Sequence, residues 1–542
     1  NLGTILIDLR NLEEAFDSYL KVIEIDPNDS NIYPLITRFL RDSDPSNLNR
    51  SKLKFILNLL LDKNDIVHQE LFKVFNFLYK KKIIVQLEQL DSDSSKIDLF
   101  INDNLLFKAL RKIIFGDPKL EELLTKLRKK ICHRIAKNTD SINYFELQFI
   151  IALGEQCFLN EYVYSLTEDE NTSINTIIDR CIDSELDEKN IAILSCYFPL
   201  YKLLDRIPSL KSFDSSNQSF KELIKLQILE PLKEIEFSRR IKRLGQINDN
   251  ISQKVKSQYE ENPYPRWRYG NPLKKQKFTI RELINNEIKP NSINESLVNQ
   301  QLKVLIAGCG TGNQILYSQR YKNAKVTAID LSLSSLSYAQ RKINELGIDN
   351  VELIQMDILE VGLLEEKFDI IECSGVLHHM KEPTKGLDSI LNSLNDEGFL
   401  RLALYSKIAI GDVIKAVKYI SSKKLEPTVK NIKEFREEVF SNRYTGNKDF
   451  INFRDFYSTS EVRDLFFHFQ AHYFDLSDIE AILNRRSLRF LGFLRTQSVN
   501  SLYKNYFPED KTQTNLDNWA KFEKLHPSTF RGMYQFWVSK GE

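Results

Sequence analysis

Residues 304–312 read Val304-Leu305-Ile306-Ala307-Gly308-Cys309-Gly310-Thr311-Gly312, an apolar run that enters a glycine-rich turn. An apolar run without polar alternation predicts a strand buried on both faces, as in a parallel sheet. Glycines directly after it let backbone pass close to a ligand where a Cβ would collide. A second apolar run, Ala324-Lys-Val-Thr-Ala-Ile-Asp330, ends in an acid. A carboxylate at that position can accept hydrogen bonds from both hydroxyls of a ribose. Together these features predict an α/β sheet with a nucleoside site at the carboxyl ends of its strands.

The spacing narrows the ligand. A dinucleotide turn, Gly-x-Gly-x-x-Gly/Ala, places its third small residue at 313. This chain has Asn313 there, and Gly312 comes one residue early. Gly308-x-Gly310-x-Gly312 instead resembles the class I S-adenosylmethionine (SAM) methyltransferases. The downstream order agrees with that resemblance. Val351-Glu-Leu-Ile-Gln-Met-Asp357 reads as a third strand ending in an acid. Phe368-Asp-Ile-Ile-Glu-Cys-Ser374 reads as a fourth, running into Gly375-Val-Leu-His378-His379, and Gly398-Phe-Leu-Arg-Leu-Ala-Leu-Tyr405 as a fifth. The His-His ending resembles the branch that methylates quinones and small molecules.

The resemblance implies a doubly wound, seven-stranded α/β sheet. Ser487-Leu-Arg-Phe-Leu-Gly-Phe493 and Met533-Tyr-Gln-Phe-Trp-Val538 would be its closing antiparallel pair. It implies SAM as cofactor, with Gly308, Cys309, Gly310 and Gly312 in the turn. Asp330 and Leu331 would lie at the ribose, Asp357 and Ile358 at the adenine, and Cys373 and Ser374 near the methionine end. His378 and His379 are the candidate catalytic residues, because imidazole serves as a base near neutral pH. The bland alternative is that one of them only hydrogen-bonds its loop. The sulfonium is already activated, so positioning can supply much of the acceleration. A phenol, hydroxyl or carboxyl nucleophile would still benefit from deprotonation.

A chain of 542 residues predicts two or three domains. The 42% apolar content is enough for real cores. Lys plus Arg number 76 against 75 Asp plus Glu, which leaves no overall electrostatic footprint for nucleic acid. The sequence lacks an apolar run of about 18 residues, so no membrane span is expected. Cys132, Cys157, Cys181, Cys196, Cys309 and Cys373 are scattered without Cys-x-x-Cys spacing. Reduced thiols in a cytoplasmic protein are the simplest expectation.

At the N-terminus, Leu2-Gly3, Ala15, Tyr19 and Pro27 match the spacing of a tetratricopeptide repeat. An ordinary helical hairpin also fits. There is no initiating Met, and the pattern begins inside a repeat, so the natural start is expected upstream. Residues 1–50 are read as a repeat remnant and 51–245 as a helical domain, from the three-four apolar spacing of stretches such as Glu70–Leu78. Residues 246–542 are read as the methyltransferase domain, with helical cap insertions at 422–486 and 495–532. Leu153–Tyr164, Ile251–Trp267 and His468–His472 resemble a bacterial family that fuses tetratricopeptide repeats to a class I methyltransferase. In Ile251–Trp267, Tyr259, Tyr264 and Trp267 surround Pro263 and Pro265. This segment is expected either to fold over the cofactor, where a ring face attracts a sulfonium, or to staple two domains together.

His468 and His472 are four apart and could share a helix face toward a metal. Phe469 stands where a zincin needs Glu, and no metal site is expected. The sequence reading is a SAM-dependent methyltransferase with an open acceptor, either a peptide or protein recruited by the helical domain or a small molecule. The alternative is a non-catalytic SAM-binding scaffold.

Overall fold

The computed structural model describes residues 3, 5–6, 11–29, 31–92, 101–138, 141–183, 186–270, 277–294 and 301–541. These fall into two compact units. The first comprises Asn1–Leu232, Trp267–Pro272 and Thr428–Val462; the second comprises Lys233–Arg266, Leu273–Pro427 and Arg463–Glu542.

The first unit is helical. Its helices begin where the sequence supplies a cap: Asn49, Asp117 and Asn143 accept backbone N–H groups at the starts of Arg50–Asp62, Pro118–Lys137 and Tyr144–Leu159. Near the N-terminus, Leu12–Ile25 packs on Ile32–Asp42. Phe16 stacks on Phe39 at 5.8 Å, and Ala15 is fully buried between the helices' larger side chains. Leu2, part of the repeat signature, lies outside the described residues.

The sequence boundaries assign residues 422–486 wholly to the catalytic domain, whereas the helical unit takes in Thr428–Val462. A buried ion pair explains this grouping. Arg436 donates to both carboxylate oxygens of Glu121 at 3.0 and 2.6 Å, and its Nε donates to the Phe456 carbonyl. Breaking such a pair costs about 3–5 kcal/mol. Arg268, from Trp267–Pro272, similarly pairs with buried Glu155. Trp267 therefore belongs to the helical unit, and Tyr264 to the second.

The second unit is built on one sheet. Its strands are β1 (Lys242–Arg243), β2 (Leu302–Ala307), β3 (Ala324–Asp330), β4 (Val351–Gln355), β5 (Phe368–Ser374), β6 (Leu394–Tyr405), β7 (Leu488–Phe493) and β8 (Met533–Lys540). Their spatial order is β1-β4-β3-β2-β5-β6-β8-β7. The pairs from β1 to β6 are parallel, and β8 runs antiparallel to both β6 and β7. Chain order moves outward from β2 to β3 and β4, then returns to β5 on the other side of β2. Such a reversal opens a crevice at the carboxyl ends of the central strands.

Seven strands are expected from sequence, and the described residues form eight. The additional strand, β1, is two charged, exposed residues with no apolar alternation. Backbone pairing on the β4 edge defines it, with Lys242 Nζ 3.0 Å from Glu352. The segment 495–532 contributes Tyr503, Trp519, Phe522 and Phe530 to the same core as Phe493 and Phe536. Tyr503 stacks on Trp519 at 3.9 Å. No described helix is long and apolar enough to cross a membrane.

Candidate active site

A cavity of about 80 Å³ opens at the crevice between β2 and β5. One side is built from strand ends: Gly308, Asp330, Leu331, Asp357 and Ile358 line it. The other side is built from the Asn250–Glu261 helix and the loop after β5, through Val255, Tyr259, Val376, His379 and Met380.

The glycine turn is shaped by its neighbours as well as by any ligand. A Cβ on Gly308 would lie 2.2 Å from Val376 Cγ2. Gly310 has φ +52°, and a Cβ there would lie 2.6 Å from the Tyr264 carbonyl oxygen. The Thr311 hydroxyl donates to the Pro265 carbonyl. The Tyr264–Pro265 segment therefore lies directly on the turn, and Gly310 permits its approach. Gly312 precedes the Asn313–Ser318 helix.

Asp330 accepts the Gly310 N–H on Oδ2 at 2.8 Å and the Ser332 N–H on Oδ1 at 2.9 Å. Each carboxylate oxygen keeps a further lone pair. Burial raises its pKa to about 6 against those backbone donors, and the Glu260 charge adds to the rise. Glu260 itself accepts the Leu333 and Ser334 N–H groups at the start of the Leu333–Glu345 helix, which anchors the Asn250–Glu261 helix. Asp357 accepts the Leu359 N–H at 3.0 Å.

Several expected residues stand back from the cavity lining. Cys309 and Cys373 are buried, and burial pushes the Cys373 thiol up to about 12. The Ser374 carbonyl accepts from Gln314 at 3.1 Å. The two histidines also separate. The buried His378 ring stacks on Tyr405 at 3.8 Å, while His379 reaches the cavity. His379 Nδ1 lies 3.0 Å from the Gln470 carbonyl, so that nitrogen carries the proton and Nε2 keeps its lone pair. Burial first, and the His472 ring second, depress His379 to about 4, against the raising effect of that carbonyl. It is therefore a neutral imidazole at physiological pH.

His468 and His472 do not share a helix face, because the preceding helix, Thr459–Phe466, ends before them. The chain instead runs along the end of β6 and the loop after β5. His472 N–H donates to the His378 carbonyl at 2.7 Å, and Phe474 N–H to the Tyr405 carbonyl at 3.0 Å. This path lays the His468 ring on His379 at 3.5 Å with 17° between planes. Asp464 completes the group: it accepts the Tyr259 hydroxyl on Oδ1 and the Tyr405 hydroxyl on Oδ2, the latter at 3.4 Å.

His379, Asp464 and His468 bring potential ligand atoms within 4.8 Å of one another. A metal, however, binds imidazole in the ring plane at about 2.0–2.1 Å. Two nearly parallel planes separated by a stacking distance do not meet within that reach. The cluster is better organised for moving protons than for holding an ion.

The sequence string Ile251–Trp267 contained Val255 and Tyr259, and their four-residue spacing puts them on one helix face. Asp464, Met380 and Val376 gave no comparable local signal.

Residues 299–447 match the family model described as a methyltransferase domain. An uncharacterised protein from Synechococcus sp. is 34% identical over 113 residues, covering 20% of this chain and 27% of that protein. The malonyl-[acyl-carrier protein] O-methyltransferase of Acetivibrio thermocellus is 27% identical over 114 residues, covering 21% and 39%. Among solved structures, Rickettsia typhi PKMT2 in complex with AdoHcy is 19% identical with a TM-score of 0.37, covering 50% of this chain and 55% of that one. The chain thus spans about half or less of each of these relatives. Over residues 299–447, then, the chain is similar to a methyltransferase domain.

Proposed function

We propose that the chain transfers a methyl group from SAM to an acceptor bound beside Tyr259 and His379. The observation that carries this reading is the convergence of the glycine turn, two strand-end acids and His379 on one cavity. In it, Asp330 takes the ribose hydroxyls on the lone pairs left open by Gly310 and Ser332, with Leu331 beside it. Asp357 meets the adenine amino group, and Ile358 and Met356 pack on the ring. Gly308, Cys309, Gly310 and Gly312 carry the turn, and Cys373 and Ser374 back the methionine end. When bound, the cofactor supplies a methyl on a sulfonium whose S–C bond breaks with its electron pair left on sulfur. His379 serves as base through Nε2, and His378 supports it by packing.

The pairing of Leu12–Ile25 with Ile32–Asp42 supports a tetratricopeptide-type hairpin at the N-terminus. Arrays of such hairpins offer concave faces to extended ligands, which favours a peptide or protein acceptor over a small molecule. Calorimetry with S-adenosylhomocysteine tests the cofactor site, and transfer of labelled methyl from SAM to components of a cell lysate tests catalysis. Binding without any transfer would leave a SAM-binding scaffold as the function. No binding would overturn both.

A further inference from the structure

Tyr259, Asp464 and His468 lie outside the cofactor contacts proposed above, yet their hydrogen bonds share one direction. Gln470 N–H donates to His468 Nδ1 at 3.3 Å, so the ring proton sits on Nε2. That Nε2 lies 3.5 Å from the Tyr259 oxygen, the long end of a hydrogen bond, and faces it as a donor. The Tyr259 hydroxyl in turn donates to Asp464 Oδ1. Tyr405 donates to the other oxygen. All the donors therefore point toward one buried carboxylate. Tyr259 is the member of the chain that lines the cavity.

We propose that Tyr259 is a second proton-handling residue of the acceptor pocket, with Asp464 as the base behind it and His468 as the residue that orients it. The inference rests on the methyltransferase reading. The acceptor atom loses one proton as its new bond to carbon forms. Where that proton faces Tyr259 rather than His379, it passes to the Tyr259 oxygen while the hydroxyl proton of Tyr259 passes to Asp464 Oδ1. Asp464 becomes a neutral acid, and the proton returns through Tyr259 to solvent once the product leaves. One proton is released per methyl transferred, and no other reactant is needed. The phenol is suited to relaying rather than holding charge: burial and the neighbouring Asp464 charge keep it protonated well above its ordinary range. Asp464 and His468 act through Tyr259 and are positioning residues. The device implies an acceptor whose nucleophilic atom still carries a proton when it binds, as a hydroxyl does and a carboxylate does not.

The hydrogen-bond direction can be read without knowing the acceptor. In protein labelled with ¹⁵N at histidine, His468 should appear as the neutral Nε2–H tautomer and His379 as the Nδ1–H tautomer near neutral pH. Tyr259→Phe should move the His468 Nε2 resonance and leave that of His379 in place. S-adenosylhomocysteine affinity, by calorimetry, should stay unchanged in Tyr259→Phe and Asp464→Asn. Labelled-methyl transfer from SAM into lysate should fall roughly tenfold or more in each variant. The double variant should fall no further, because the two residues act as one unit. A His468 proton on Nδ1, an unmoved His468 signal in Tyr259→Phe, or wild-type transfer by that variant would overturn the proposal. A wild-type protein that fails to bind S-adenosylhomocysteine would instead refute the cofactor reading, and the tautomers would still report on the relay.

Discussion

The two walls of the cavity are made of different materials. The strand-end wall is backbone and carboxylate: Gly308, Gly310 and Asp357 follow β2 and β4, and Asp330 is the last residue of β3. Its polar atoms are held by short local bonds, such as Gly310 N–H and Ser332 N–H to Asp330. The opposite wall is rings and phenols. His379, His468, Tyr259 and Tyr405 come from four separate stretches of chain, and the hydrogen bonds of this wall span 59 residues of sequence, between Tyr405 and Asp464, to 209, between Tyr259 and His468. The first wall can bind a ligand with little rearrangement. The second has several rings whose positions depend on one another, so its failures should appear in turnover before they appear in cofactor affinity.

The largest effect should come from Gly310→Val, which attacks the point where the first wall meets Tyr264. A β-branched residue at φ +52° is strained by about 1–2 kcal/mol. Overpacking against the Tyr264 carbonyl adds about 1–3 kcal/mol. S-adenosylhomocysteine affinity should therefore drop by more than about tenfold at constant fold, read by calorimetry alongside circular dichroism. An unchanged affinity would mean that the turn tolerates a side chain and that the two walls are not joined at this glycine.

Asp330→Ala should come next, weakening S-adenosylhomocysteine by about 1.5–3 kcal/mol, the scale of hydrogen bonds to a charged group. The same residue predicts a pH dependence. With its pKa raised to about 6, Asp330 is an acceptor on both oxygens above that pH and becomes protonated below it. Affinity should be flat above pH 6 and fall as the pH drops, and Asp330→Ala should remove that slope. The apo protein should respond in the opposite sense. Protonation is easier in the folded state than at the ordinary value of 3.8, so this residue's contribution to stability improves as the pH falls from 6 toward 4. Opposite slopes for binding and for apo melting would mark Asp330 as the titrating group.

The contrast between the walls also explains what could be read in the sequence. The glycine turn, Asp330 and Asp357 are each adjacent to the strand that presents them, so local apolar runs announce them. The seven longer strands were legible for the same reason. The two-residue β1 was not, because charged Lys242 and Arg243 pair through backbone alone. Arg436 in an amphipathic helix reads as solvent-facing, and only its distant partner Glu121 makes it a buried tie. His468 and His472 suggested a helix face by their spacing. Their positions are instead set by backbone bonds to the His378 and Tyr405 carbonyls, which no local pattern encodes. Asp464 carries no motif at all, and its importance arises from the two phenols that reach it.

The smallest effect should come from Thr311→Val, which tests how firmly Tyr264–Pro265 is held on the turn. The substitution removes the hydroxyl that donates to the Pro265 carbonyl. A net hydrogen bond of this kind is worth about 0.5–1.5 kcal/mol. Thr311 is fully buried, so the loss should be concentrated locally. Amide exchange across residues 262–266 should quicken in the free protein and slow again when S-adenosylhomocysteine is added, because ligand and turn together confine the segment. The affinity itself should change by less than about threefold, since Asp330 and the glycine backbone remain in place and the lost bond is of the magnitude above only at its upper end. If exchange in 262–266 is the same in wild type and variant, and the same with and without ligand, Tyr264–Pro265 is a rigid part of the first wall and does not cover the cofactor. If exchange responds to ligand but not to the variant, the segment closes on the cofactor through contacts other than the Thr311 hydroxyl.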